Sequence, residues 1–97
     1  MSRYAVVGQW KMDAGRSDHQ QRELETRIVP SVRATAGFVE GRWTRRSDGE
    51  RHASFVVFDD EASAMRFAES VRGAAQHQRA AGVENESLEV YEVIASA

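Results

Sequence analysis

The stretch Arg51–Asp60, RHASFVVFDD, decides the fold of this 97-residue chain. From Ala53 to Phe58 every residue is apolar or small, without the polar alternation of a strand that has one face in water. The stretch therefore predicts a strand with apolar side chains on both faces. Leaving such side chains in water would cost roughly 1.5–3 kcal/mol each relative to burial, so both faces of this strand need a cover.

The composition is that of an ordinary globular protein, 41% apolar and 29% charged, and predicts a single domain over residues 1–97. The formal net charge of −2 lacks the basic excess typical of proteins that bind nucleic acid or anionic membranes, so neither partner is expected. There are no cysteines, which excludes disulfides and thiolate chemistry. Without a signal-peptide pattern or a bilayer-length apolar run, we expect a cytoplasmic protein.

Four strands and two helices are predicted along the chain. The strands are Tyr4–Met12, Phe38–Arg45, Arg51–Phe58 and Leu88–Ile94. Asp48 and Gly49 form a two-residue hairpin signal between the second and third strands, because this pair tolerates the positive φ of a tight turn.

The first helix is predicted to start at a capping box formed by Ser17 and Gln20. Pro30 lies inside its apolar pattern and is expected to kink or end the helix near Val29. The pattern itself predicts one buried stripe, made by Leu24, Ile28 and Val32.

The second helix is predicted to be capped by Asp60, weakened by Gly73 and ended by Gly82. Its apolar face consists of Ala64, Phe67, Ala68, Val71 and Ala75.

The order β-α-β-β-α-β predicts an α+β, ferredoxin-like fold with a four-stranded antiparallel sheet. In this topology the first and third strands are central, and right-handed crossovers place both helices on one face of the sheet. The opposite face then stays open although the third strand presents Val and Phe side chains there. A second copy of the sheet is the simplest cover, which predicts a homodimer formed through this face, with isologous contacts.

Three segments carry a family resemblance: YAVVGQW (Tyr4–Trp10), IVPSVRATAGFVEGRW (Ile28–Trp43) and SFVVFDDEASAMRFAESV (Ser54–Val71). The chain resembles the dimeric α+β barrel superfamily, in particular its antibiotic-biosynthesis-monooxygenase-like domains. The resemblance implies a β-barrel between two subunits. Its members include cofactor-free oxygenases of aromatic polyketides, haem-degrading oxygenases and muconolactone-type isomerases, so the fold by itself selects no reaction.

The resemblance raises the possibility of haem at His77. In haem-degrading members a helix-two His ligates iron, an aromatic residue ten positions earlier lies against the haem, and a strand-one Asn hydrogen-bonds nearby. Here Phe67 stands where Trp is usual and Gly8 stands at the Asn position. The alternative is a hydrated His77 near a helix C-terminus. We expect no cofactor, with haem as the alternative.

Several further residues are candidates for a small-molecule pocket between sheet and helices. The ligand-binding candidates are Trp10, Trp43, Phe67 and Tyr91, because aromatic walls with few polar groups suit small apolar or aromatic ligands. The catalytic candidates besides His77 are Gln9, Arg42 and His52, which strands one to three could aim inward. In this interpretation Arg42 binds a phenolate or enolate oxygen and His52 accepts a proton. Otherwise the aromatic side chains are core or dimer interface, and Arg42 lies on the solvated side of an edge strand.

Metal binding and RNA binding are both disfavoured. The acids Asp59–Glu61 fit helix capping, and the chain has no HExxH motif or calcium loop, so no metal is predicted. RNA-recognition domains share the topology, and their third-strand signature matches this chain at Arg51, Phe55, Val56 and Phe58. However, Ala53 and Ser54 replace the usual aromatic and small pair, and the net charge is negative.

The sequence thus predicts small-molecule binding or turnover, as in cofactor-independent monooxygenases that act on aromatic or polyketide-like substrates. In the oxygenases of the family, the deprotonated substrate itself donates an electron to oxygen. The alternative is a non-catalytic dimer, a binding or stress-linked module whose cavity is filled by core side chains.

Overall fold

The computed structural model describes residues 2–97. Its strands are β1 (Tyr4–Met12), β2 (Phe38–Arg45), β3 (Arg51–Phe58) and β4 (Val83–Glu92). Its α-helices are α1 (Ser17–Glu23), α2 (Val29–Arg33), α3 (Glu61–Gly73) and α4 (Ala75–Ala80). The first three strands have the predicted bounds. The fourth begins and ends earlier than predicted, because its pairing with β1 runs down to Met12 opposite Val83, past a bulge at Gln9 and Trp10.

The strands form one sheet in the order β2-β3-β1-β4, and every neighbouring pair is antiparallel. The central positions of β1 and β3 are those predicted. Val6 lies opposite Val56 on one side and Val90 on the other, which fixes the register of the central strands. The predicted ferredoxin-like α+β fold is confirmed.

The core lies between the helices and the sheet face that bears Val6, which we call the helix face. Its buried apolar residues are Val6, Val32, Val56, Phe58, Ala64 and Ala68. The fully buried ring of Phe58 packs edge-on to Phe38 at a centroid distance of 6.5 Å and against Phe67 at 5.1 Å. The two buried alanines belong to α3, where small side chains allow the helix to approach the sheet closely.

The predicted capping box at the start of the first helix is wrong. The N-cap of α1 is Arg16, and its side chain makes no capping hydrogen bond. A 3-10 turn precedes α1 instead, and Asp13 caps that turn by accepting a hydrogen bond from Gly15 N at 2.9 Å. Gln20 donates to the carbonyl of Ala81 at 3.4 Å, so tertiary contact replaces the local reciprocal cap.

The winding of the first helix changes just before Pro30, as predicted, but the helix does not end there. The residues Leu24–Ile28 form a π-helical turn, in which Val29 N bonds to Leu24 O, and α2 continues through Arg33. Proline has no N–H to offer the preceding turn, and a π turn accommodates this by shifting the bonds to a wider spacing. The predicted stripe holds, with Val32 buried and the other two residues half-buried.

The second helical region is capped at both ends as predicted, although it divides into α3 and α4 after Gly73. Asp60 accepts a hydrogen bond from Ser63 N at 2.7 Å, and Gly82, at φ +78°, follows the end of α4. The β2–β3 hairpin is longer than the two-residue turn that was predicted. Arg46 N bonds to Arg51 O at 2.8 Å, and only Gly49 of the predicted pair adopts a positive φ, +82°.

The face of the sheet opposite the helices, here called the open face, is apolar at its centre. Strand alternation and register place Ala5, Val7, Phe55 and Val57 there, with Tyr91 beside Ala5. Within one chain Phe55 is 42% exposed and Tyr91 is 51% exposed. The third strand therefore does present apolar side chains to both faces, and nothing in residues 2–97 covers the second face. Across that same range, no helix has both the length and the apolarity required to traverse a lipid bilayer.

Candidate functional site

The sheet divides the predicted site residues between its two faces. Trp10, Trp43 and His52 lie on the helix face, whereas Gln9, Arg42 and Tyr91 lie on the open face. Gln9 and Arg42 each adjoin a residue that points to the helix side, so neither side chain starts from the helix face. Gln9 nevertheless shares one depression with Trp10 and His52 at the hairpin end of the sheet, a depression that Arg42 and Tyr91 do not line.

A Gly-x-Trp triplet occurs twice on the helix face, at Gly8–Trp10 and at Gly41–Trp43. A Cβ atom at Gly8 would lie 2.7 Å from Trp10 Nε1, and a Cβ atom at Gly41 would lie 2.8 Å from the Trp43 ring. Each indole therefore lies against the glycine two residues before it, in space that any larger residue would fill. The sequence analysis missed this repeat, although the spacing of two is visible in the sequence.

Ser54 lies between the two triplets. It pairs with Gly8 on β1 and with Trp43 on β2, and it is only 8% exposed. Trp10 Nε1 donates a hydrogen bond to Ser54 Oγ at 2.9 Å, which holds the indole of Trp10 against β3. Two half-buried indoles thus flank one buried hydroxyl.

His52 and Arg45 add the ionisable groups on this face. His52 is half-buried and lies opposite Trp10 on one side and Arg45 on the other. Partial burial lowers the pKa of His52, a hydrogen bond with the backbone of Gly49 partly offsets this, and the nearby positive charge of Arg45 lowers the pKa further. The neutral imidazole, which can accept a proton, therefore predominates at pH 7. Arg45 forms no ion pair with any of residues 2–97.

We call Trp10, Trp43, Arg45, His52 and Ser54 the twin-tryptophan cluster. It occupies the hairpin end of the helix face, whereas the other end of that face is the apolar core. Cross-strand register brings the five residues together from three strands. Aromatic surface, one hydroxyl, one neutral base and one cation are the components of a site for a small aromatic molecule with an ionisable oxygen.

The other predicted residues lie outside this cluster. Phe67 packs against Phe58 at the edge of the core. His77 is exposed on α4, and its charge helps to lower the pKa of Glu23, for which the main cause is a hydrogen bond from Arg27.

An open depression of about 560 Å³ lies at the hairpin end of the sheet. Gln9, Trp10 and His52 contribute to its lining, together with Arg45 and Arg51. Arg51 forms an ion pair with Glu86, which lies at the bulge of β4. A second depression of about 630 Å³ near Met12 contains none of the predicted site residues, and neither depression is lined by Trp43 or His77.

Two features of residues 2–97 concern metal ions and buried polar atoms. No group of three or more His, Cys, Asp or Glu side chains in that range is arranged to hold a metal ion. Every buried side-chain nitrogen or oxygen in the described part of the chain has a hydrogen-bond partner.

Solved structures share this fold. SnoaB, a cofactor-independent oxygenase from Streptomyces nogalater, superposes with a TM-score of 0.72 at 16% identity, over 99% of this chain and 97% of that one. The heme-degrader MhuD from Mycobacterium tuberculosis, with two hemes in its active site, gives 0.74 at 18% identity, over 97% and 98% of the two chains. A dimeric ferredoxin-like protein from an uncultured marine organism gives 0.68 at 9% identity, over 100% of both.

No protein-family model matches the sequence, and no curated protein sequence matches it. Identities this low show a shared fold and leave the reaction open. The ferredoxin-like α+β fold that the sequence predicted is therefore shared with these solved structures.

Proposed function

We propose that this protein is a homodimer that binds a small aromatic molecule at the twin-tryptophan cluster and oxidises it without a cofactor. The observation that carries the proposal is the pair of indoles, each laid against a glycine on the helix face, on either side of the Ser54 hydroxyl.

The cluster favours a ligand that is flat, apolar and weakly acidic. Indole faces provide flat apolar contact area, on which aromatic rings stack or pack edge-on. Arg45 offers a cation without an ion-pair partner in residues 2–97, suited to a phenolate or enolate oxygen. These features support a polycyclic phenol or a related aromatic ketone as the ligand class.

His52 is the proposed base. A neutral imidazole accepts a proton from an acidic C–H or phenol, leaving a carbanion or phenolate that gives an electron to molecular oxygen. For an activated methylene the overall change is CH₂ plus O₂ to a carbonyl plus H₂O, which balances without an external reductant. The SnoaB structure, named as a cofactor-independent oxygenase on the same fold, supports this class of reaction.

The homodimer is proposed from the open face. Phe55 and Tyr91 are about half exposed there, around a centre made of Ala5, Val7 and Val57. Contiguous apolar surface of this kind marks interaction sites, and a second copy of the same sheet supplies a matching surface. The dimeric ferredoxin-like protein of the same fold adds support.

Tryptophan fluorescence tests ligand binding directly, because both tryptophans of the chain belong to the cluster. We expect anthrone or a naphthol to quench the emission with saturation. Trp10→Phe and Trp43→Phe should each weaken binding by about ten-fold, reported by the remaining indole, since each removes part of the aromatic wall. Tyr91→Phe, on the open face, is the control and should bind as the wild type does. No saturable quenching by either compound would overturn the proposal.

Turnover and haem binding are separated by two further measurements on the same samples. Oxygen uptake in the presence of anthrone that is lost in His52→Gln supports turnover. Binding of anthrone without oxygen uptake would instead indicate a protein that binds the ligand but does not oxidise it. For haem, the residues fit poorly, because Phe67 is packed in the core and the indole of Trp10 fills the space beside Gly8. A Soret shift with haemin that is lost in His77→Ala would instead favour the haem alternative.

A further inference from the structure

Ser54 is the most deeply buried residue of the twin-tryptophan cluster, with 8% of its surface exposed. Its hydroxyl oxygen accepts a hydrogen bond from Trp10 Nε1 at 2.9 Å. The direction of this bond is fixed, because an indole N–H donates and cannot accept. Ser54 therefore acts toward Trp10 only as an acceptor, and its own hydroxyl proton takes no part in that contact.

The hydroxyl proton of Ser54 has no acceptor in its own chain. The contact with Trp10 satisfies the oxygen, and no hydrogen bond among residues 2–97 has Ser54 Oγ as its donor. Other hydroxyl groups of the chain, all less buried than this one, do donate to backbone carbonyls: Thr26, Thr35, Thr44 and Ser70. A buried donor loses its hydration, so it needs an acceptor in return. For Ser54 that acceptor has to come from outside the chain.

Cross-strand register places this unused donor between the aromatic walls of the cluster. Ser54 lies opposite Gly8 on β1 and opposite Trp43 on β2. A Cβ atom at Gly8 would lie only 2.9 Å from Ser54 Oγ, so a side chain at that position would press on the hydroxyl. His52, two positions before Ser54, is the next residue on the same face of β3. The donor, the proposed base and both indoles thus share one face and two adjoining rows of the sheet.

We infer that the Ser54 hydroxyl donates a hydrogen bond to an oxygen of the ligand, so that the ligand must carry an acceptor, such as a carbonyl, between the two indoles. The inference rests on the proposed function and adds the residue that recognises the ligand oxygen. Arg45, opposite His52 in the row nearer the hairpin, remains available to a second oxygen of the same ligand.

A donor at this position also favours the proposed oxidation. When His52 takes the proton of a C–H bond conjugated with the carbonyl, the electron pair of that bond moves into an enolate, and negative charge develops on the oxygen. A donor already in place stabilises this charge without rearrangement. The hydrogen bond from Trp10 polarises the Ser54 hydroxyl and strengthens its donation. Ser54 is therefore a catalytic residue that contacts the substrate, and Trp10 Nε1 is a positioning group behind it.

Two ligands of nearly the same shape test the inference. The ketone α-tetralone has a carbonyl where the hydrocarbon tetralin has a methylene group, and the affinity of each is measured by displacement of a naphthol that quenches the tryptophan emission. The ratio of the affinity for α-tetralone to that for tetralin should be about five- to ten-fold lower in Ser54→Ala than in the wild type, because one hydrogen bond is lost. Ser54→Cys has a weaker donor at the same position and should also lower the ratio, which keeps the test valid if the alanine variant does not fold.

The infrared carbonyl stretch of bound α-tetralone gives a direct readout of the hydrogen bond. It should lie at lower frequency in the wild type than in Ser54→Ala, a difference that a purely structural role for Ser54 would not produce. Thr44→Val is the matched control. It removes a hydroxyl from the opposite face of the sheet, where Thr44 donates to Ala53 O at 2.8 Å, and it should change neither the ratio nor the frequency.

The outcomes separate this inference from the proposed function. If no naphthol quenches the wild-type emission with saturation, the proposed function fails, and the role of Ser54 fails with it. If a naphthol binds but the ratio and the carbonyl frequency are the same in the wild type and in Ser54→Ala, the proposed function stands and the role of Ser54 is wrong. An equal fall of the ratio in Thr44→Val would contradict that role as well.

Discussion

At the scale of single residues, two glycines determine where the aromatic groups of the site lie. The indole of Trp10 occupies the space in which a Cβ atom at Gly8 would stand, and it is held there by a hydrogen bond to Ser54. A glycine in a strand interior normally weakens the strand, and a close approach of another group is one reason for keeping it. The same reasoning applies to Gly41 beneath Trp43.

Gly8→Ala should therefore destabilise the protein by about 1–3 kcal/mol, because the added methyl group overpacks a site already filled by Trp10 and Ser54. Gly73→Ala is the matched control. A Cβ atom there would meet nothing within 4 Å, and replacing a helical glycine with alanine should stabilise by about 0.5–1 kcal/mol. Urea unfolding followed by tryptophan emission measures both. Equal stability of Gly8→Ala and the wild type would contradict the packing described here.

Sequence analysis identified the aromatic residues of the cluster but assigned some of its polar residues to the wrong face. Gln9 and Trp10 are neighbours in one strand, as are Arg42 and Trp43, so alternation places the members of each pair on opposite faces of the sheet. Applying that parity would have placed Gln9 and Arg42 on the face opposite the indoles and pointed to Arg45, which shares the face of Trp43. The partial burial that lowers the pKa of His52 depends on packing, which no local pattern reveals.

At the scale of elements, local signals account for the ends of β1, β2 and β3 and for the cap of α3. They fail where tertiary contacts decide. The bounds of β4 follow from its pairing with β1 across a bulge, and its first residues, Val83–Ser87, lack a strand-like apolar pattern. The π-helical turn before Pro30 likewise depends on the helix continuing over the core to bury Val32.

The cap of α3 makes a pH-dependent contribution to stability. Hydrogen bonds from the backbone and side chain of Ser63 lower the pKa of Asp60 from its ordinary value of 3.8. A carboxylate with a lowered folded-state pKa stabilises the protein above its ordinary pKa, and this contribution is lost as the pH falls through the folded-state value.

Asp60→Asn should therefore reduce the loss of stability below about pH 4, because asparagine caps a helix nearly as well but does not titrate. Urea unfolding at a series of pH values from neutral to 3 measures the effect. Asp18→Asn, at an exposed acid in α1, is the control and should follow the wild-type curve. An Asp60→Asn variant with the same acid dependence as the wild type would show that this cap does not contribute in the way proposed.

At the scale of the whole molecule, β3 is the strand from which the proposed homodimer is inferred. Residues 54, 56 and 58 of β3 are buried against the helices, whereas Phe55 and Val57 face away from them. Among residues 2–97 no element covers that side, and the proposed second copy of the chain would cover it. This consequence can be predicted from the sequence, whereas the residues that surround the apolar centre of that face follow only from the register of all four strands.

The most direct measurement is sedimentation equilibrium of the full chain at micromolar concentration, with Phe55→Asp beside it. The proposed interface predicts a wild-type mass of twice 10.9 kDa. It also predicts single-chain mass for the variant, because a carboxylate buried at the centre of an apolar interface has no partner there. A wild-type protein that sediments with the mass of one chain would contradict the claim that a second copy covers the open face.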